Sequence, residues 1–131
     1  MQDKFKMRIY DPETHDYSDL EYINQRTNIV ANTLGTHYHI SRIQLIQCSG
    51  LRDKNDKLIY EGDLLKCYFM DDDTGKTNYD LMKVIFDNKS AAFGLIGLKT
   101  SNIEYFSDIE FIAEEYEIIG NIYEKRKLGN E

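Results

Sequence analysis

Apolar and polar residues alternate in short runs along most of the chain. Lys4-Phe-Lys-Met-Arg-Ile-Tyr10 places Phe5, Met7 and Ile9 on one face and Lys4, Lys6 and Arg8 on the other, which predicts a half-buried strand. Asp11-Pro12-Glu13-Thr14 ends it, because proline fixes its φ and aspartate initiates turns. Residues 17–23 fit a short helical turn or a strand equally well. Further periodic pieces run over 27–31 and 38–47, joined by a tight connection at Asn32-Thr-Leu-Gly35. Residues 64–70 and 79–86 predict an antiparallel hairpin across the polar loop that starts at Asp71. A strand over 91–98 follows, then a turn over 99–102, a less regular stretch over 103–112 with room for a strand and a helical turn, and a last strand over 116–123.

Short strands spaced about ten residues apart, with turn signals between them, predict a mainly β protein built as a small barrel or sandwich. Residues 1–48 read as an N-terminal β unit too small to hold a core alone, packed on residues 49–131 to make one compact unit. Ten Tyr and six Phe against a single proline suit pleated, half-buried surfaces.

The charge of −7 is concentrated at the two ends. Residues 1–25 hold six acids and three bases, and residues 100–131 hold eight acids and three bases. Nucleic-acid binders need a basic face that releases counterions from phosphates, so non-specific nucleic-acid binding is not expected. The acidic surface reads as solvated, or as a docking face for a basic partner. No apolar run is long enough to span a membrane or serve as a signal peptide, which places the protein in the cytoplasm with no membrane partner. Cys48 and Cys67 lie in alternating segments without ligand spacing and read as reduced core thiols.

Residues 50–63, Gly-Leu-Arg-Asp-Lys-Asn-Asp-Lys-Leu-Ile-Tyr-Glu-Gly-Asp, predict two turns around a very short extended piece. With Gln47-Cys-Ser before it and Leu64-Leu-Lys after, this stretch resembles the central motif of the YopX family. Lys6-Met-Arg-Ile-Tyr-Asp11 is similar to that family's opening, and Ile118-Ile-Gly-Asn-Ile-Tyr-Glu124 to its ending. Two departures are Asp56, where the family usually has glycine, and Tyr10, where it usually has tryptophan. The resemblance implies a C-terminal SH3-like barrel in a phage or prophage protein of a bacterial host, and brings no catalytic residues and no known function.

Arg52, Asp53, Lys54, Glu61 and Asp63 are the candidate partner-binding edge, the alternative being that they are turn residues of a barrel. His37 and His39 share a strand face without an evident third ligand, and Asp71-Asp-Asp73 lacks the alternating ligands and closing Glu of an EF-hand loop. Neither serine elbow nor phosphate-binding loop is present. No catalytic residue, cofactor or metal is therefore expected. The reading that follows is a non-enzymatic protein-binding or assembly module whose partner is a host or phage protein, or a second copy. A nucleic-acid-associated protein, or a counter-defence protein binding a host factor or small ligand, is the alternative.

Overall fold

The computed structural model describes residues 6–98, 103–106 and 113–124. Strand dominates, and the only helical pieces among these residues are 3-10 turns at Ile40–Arg42 and Ala113–Glu115. The strands are β1 (Met7–Tyr10), β2 (Tyr17–Asn24), β3 (Ile29–Asn32), β4 (His37–His39), β5 (Gln44–Arg52), β6 (Leu58–Tyr60), β7 (Asp63–Met70), β8 (Thr77–Asp87), β9 (Ala92–Gly97), β10 (Ile103–Tyr105) and β11 (Tyr116–Asn121).

Every pairing is antiparallel. One sheet has the order β4-β3-β2-β1-β5-β6 and the other β10-β9-β8-β7-β11. The predicted hairpin is present, with Leu64 opposite Lys83 and Met70 opposite Thr77. The ambiguous 17–23 segment is a strand, pairing β1 from Tyr17 to Asp19. β10 and β11 each pair on one side only, so the second sheet is open and the barrel closure implied by the family resemblance does not form among the described residues. The first sheet reaches Tyr60, so residue 48 lies inside β5 and the sheets divide at Glu61-Gly62. The expected turn over 99–102, and residues 107–112 of the irregular stretch, lie outside the described residues.

Loops follow one local rule. Asp11, Asp53, Asp71 and Asp87 each accept the N–H two residues on, from Glu13, Asn55, Asp73 and Lys89, and Asn24 and Asn121 do the same for Arg26 and Tyr123. Such carboxylates replace water at turn N–H groups that no strand can satisfy. Part of the acidity is thus spent on turns. Asp11 is buried beside Arg42, 3.0 Å away.

Three apolar clusters fill the interior. Ile9, Val30 and Tyr38 pack within the first sheet. Leu65, Val84, Leu95 and Tyr116 of the second sheet close over Ile59 of β6. At the junction, Ile46, Cys48 and Tyr60 pack against Tyr123 from beyond β11. Fully burying a side chain of this size stabilises by about 1.5–3 kcal/mol, and because Ile59 and Tyr123 each cross to the other sheet's cluster, the two sheets form one packed unit. Cys48 is buried and Cys67 half-buried, both as free thiols.

Candidate functional site

The 50–63 segment is fastened to the last strand through Asp53. Its Oδ1 accepts from the N–H groups of Asn55 and Lys57, and its Oδ2 from that of Ile118, each at 2.9 Å. The Lys54 N–H donates to the Tyr116 carbonyl beside it. Asp56 has φ +63, the left-handed conformation that glycine adopts without strain and aspartate tolerates. Gly62 has φ +89, and a Cβ on it would lie 3.0 Å from Tyr123 Cζ.

Of the five residues proposed as an edge, the structure turns two inward. Asp53 and Asp63 are each 2% exposed and hold backbone N–H groups, so neither offers a charge to a partner's surface. A carboxylate near a turn is drawn inside when unsatisfied N–H groups lie behind it, and that competition is won by strand ends brought from residues far along the chain. Arg52 caps its own turn, with Nη1 2.7 Å from the Asp56 carbonyl. Lys54 is exposed, its ammonium 4.7 Å above the Tyr68 ring. Glu61 is half-buried, and burial raises its carboxyl pKa. These residues therefore do not form one charged edge.

Two of them, Arg52 and Asp63, line a cleft instead. It has a volume of about 1030 Å³ and opens between the sheets, with β1 and β2 on one side, β6 at the base and residues 118–121 on the other. Arg8 lies inside it, its guanidinium 4.0 Å above the Tyr60 ring, with Nε donating to Asp19 at 3.0 Å and Nη1 to the Tyr17 hydroxyl at 3.3 Å. Asp63 lines the same cleft, and its Oδ2 accepts the Tyr60 N–H at 2.8 Å. Burial pushes its carboxyl up to about 7, although the Tyr60 N–H and the Arg8 charge pull the other way. Tyr17 stacks on Tyr123, centroids 5.3 Å apart, and closes the aromatic wall behind Arg8.

A family model described as YopX protein matches residues 2–128. The chain belongs to the YopX family. No curated protein matches it. Among solved structures, protein EF1440 from Enterococcus faecalis is similar, at a TM-score of 0.58 and 17% identity over 94% of this chain and 96% of that one. At that identity the likeness is one of fold.

This YopX chain carries a second surface that the sequence reading did not single out. On β7 and β8 the register places Lys66 opposite Leu81 and Tyr68 opposite Tyr79 on the sheet side facing away from Leu65 and Val84. Lys83 and Ile96, then Ile96 and Ile103, continue that side across β9 and β10. Met70, Tyr79, Leu81, Leu98 and Ile103 are all exposed, Met70 to 67%. The Lys66 ammonium sits 4.1 Å above the Tyr79 ring, and Tyr68 donates to Glu117 at 2.6 Å. Beyond Cys67 and the Leu81–Leu98 bond, β7 and β8 pair only with each other among the described strands, and the reverse side of this ribbon exposes Phe69. The signal was present in the sequence as Leu-Leu-Lys-Cys-Tyr-Phe-Met over 64–70, a run apolar on both faces rather than alternating.

His37 and His39 flank the buried Tyr38 and engage the Tyr22 hydroxyl and Ser41 respectively. No three metal-ligating side chains cluster among the described residues. No described helix is long and apolar enough to cross a membrane.

Proposed function

We propose that this YopX protein is a non-enzymatic protein-binding module, carried by a phage or prophage and acting in the cytoplasm of its bacterial host. The outer face of the second sheet supports this reading: Met70, Tyr79, Leu81, Leu98 and Ile103 form an apolar centre on one side of one sheet, with Lys66 and Lys83 between them. Contiguous apolar surface of this kind, with aromatic and methionine side chains, characterises the centre of protein interfaces. The partner it fits is a protein surface with an apolar centre and acidic neighbours. A second copy docking face to face would gather the Lys66 and Lys83 ammoniums of both copies into one interface, a concentration of like charge that disfavours self-association through this face.

The experiment is selection from a displayed random peptide library on the immobilised protein, with light scattering on the free protein. Enriched peptides combining Asp or Glu with aromatic or aliphatic residues, whose binding weakens with salt and disappears in Leu81→Asp, support the reading. Enrichment unaffected by Leu81→Asp, or a dimer that Leu81→Asp dissolves, overturns it. The interleaving of Lys54, Tyr68, Lys66 and Tyr79 gives nucleic acid as the competing occupant. With a net charge of −7, no salt-dependent gel shift of a single-stranded oligonucleotide is expected at micromolar protein, and a shift lost in Tyr79→Ala would replace the protein reading.

A further inference from the structure

The cleft between the sheets holds polar groups that folding leaves partly unused. Asp63 is 2% exposed and lines the cleft; its Oδ2 takes the Tyr60 N–H, while its Oδ1 has no hydrogen-bond partner among the described residues. Among the described residues the fully buried side-chain oxygen without a hydrogen-bond partner is Asp11 Oδ2 and not this atom, so Asp63 Oδ1 keeps an open lone pair on the cleft side. Arg8, whose side chain is partly exposed, has complementary spare donors. Its Nε and one Nη1 hydrogen are taken by Asp19 and Tyr17, and its Nη2 hydrogens have no partner among the described residues.

Neither group is a loose surface charge. The Arg8 guanidinium is fixed between the Tyr60 ring at 4.0 Å and the Tyr17 ring at 5.3 Å, so it loses little freedom when it binds. Asp63 is held at the start of β7 by the bond from Tyr60. Met7, Leu20, Leu58 and Ile118 supply apolar wall around both. A volume of about 1030 Å³ is at the upper end of the size of small-molecule sites, which favour junctions between packed units.

We infer that this cleft binds a small organic molecule carrying an N–H donor, received by Asp63, and an anionic group, received by Arg8, with an apolar body against the walls between them. Lys6, Arg52 and Lys57 add positive charge to the lining and Asp19, Glu21 and Glu124 offset it, so the anion is received through the planar Arg8 fork rather than through net charge. The site is separate from the outer sheet face, and each can fail without the other. Ionisation of Asp63 is close to balanced at neutral pH, so a ligand N–H has a free energy to gain there by drawing the carboxyl into its charged form. Amino acids and short peptides carry this chemistry as a zwitterion, and nucleoside monophosphates carry it as a base N–H and a phosphate.

Both sources are tested on the full chain by isotope-edited NMR, with dipeptides in one arm, nucleoside monophosphates in another and inorganic phosphate in a third. The expected result is that one organic arm shifts amide resonances at Arg8, Tyr60 and Asp63, and moves the Asp63 carboxyl carbon to its ionised position at pH 7. Asp63→Asn keeps an oxygen for the Tyr60 N–H, so it retains the fold while weakening binding about tenfold or more. Arg8→Lys, which keeps the charge but loses the planar fork, weakens the same ligand and serves where the first variant does not fold. The proposal is overturned if no organic arm shifts the cleft resonances, if binding is unchanged in Asp63→Asn and Arg8→Lys, or if inorganic phosphate alone reproduces the shifts.

Discussion

Replacing Asp53 by alanine removes the acceptor of three N–H groups at once. Two of them, on Asn55 and Lys57, belong to exposed turn residues and can turn to water at a cost of a few tenths of a kcal/mol each. The third, on Ile118, belongs to a half-buried strand that packs on the second core and has no other acceptor to hand. An unsatisfied buried N–H costs about 1–3 kcal/mol, and losing the tie between the turn and β11 adds to it, so Asp53→Ala is expected to destabilise by about 3 kcal/mol. In urea this lowers the unfolding midpoint by roughly 1 M or more, followed by tyrosine fluorescence and circular dichroism. Asp53→Asn keeps Oδ1 for the turn but sets an amide N–H2 against the Ile118 N–H, and should cost about half as much. Arg52→Ala, which removes a bond to the Asp56 carbonyl and a long 3.8 Å pair, both on an exposed turn that water can satisfy, should cost no more than about 1 kcal/mol. If Asp53→Ala stays within about 0.5 kcal/mol, the carboxylate does not hold the segment together and its role as a surface charge returns.

Three further outcomes follow from the same geometry. Gly62→Ala combines a left-handed φ with a contact on the Tyr123 ring and should cost about 2–4 kcal/mol, whereas Gly75→Ala, at φ +69 with open space around it, should cost about 1; equal losses by chemical denaturation would remove the ring from the explanation. Asp63 has a folded pKa raised from 3.8 to about 7 by burial, so the folded state keeps its proton where the unfolded chain has lost it, and the stability this group contributes is present below pH 4 and lost as pH rises to 7. Asp63→Asn should therefore flatten the decline in stability between pH 4 and 7, by on the order of a few kcal/mol, and parallel pH profiles of the two proteins would refute the shift. Leu81→Asp on the outer face should leave the melting temperature within a few degrees of the parent, since Leu81 lies outside the core, and a large loss would mean that this face is packed rather than presented.

Strands are legible in the sequence where alternation or a flanking hairpin loop marks them. The 64–70 and 79–86 hairpin is legible with its pairing from strand-favouring runs on either side of the polar loop that starts at Asp71, although 64–70 is apolar on both faces. Residues 17–23 were ambiguous because Glu21, Tyr22 and Ile23 are all exposed, so burial imposes no period on them. Closure of a barrel depends on whether β10 and β11 find partners, a property of distant strands that no local pattern carries. Asp53 illustrates the limit at the site. Its turn was readable from Arg52-Asp-Lys-Asn-Asp, but its inward rotation depends on the Ile118 N–H sixty-five residues away. Asp63 was equally hidden, since the Arg8 and Tyr60 around it come from β1 and β6. The outer sheet face leaves a trace in the doubly apolar run over 64–70, which by itself predicts only a strand.

The ties from Asp53 to Ile118, from Lys54 to Tyr116 and from Gly62 to Ile122 and Tyr123 have a consequence for synthesis. A ribosome delivering residues at roughly 5–20 per second releases the middle of the chain several seconds before β11 exists. Until then the turn around Asp53 lacks one of its donors and Tyr60 and Cys48 lack the ring that covers them. The first sheet can pair locally in that interval, but contacts of such long sequence separation form late and slowly. The two sheets therefore become one stable unit only as β11 arrives, and a chain cut short before Tyr116 would leave the second-sheet and junction clusters, two of the three, open to other unfolded chains.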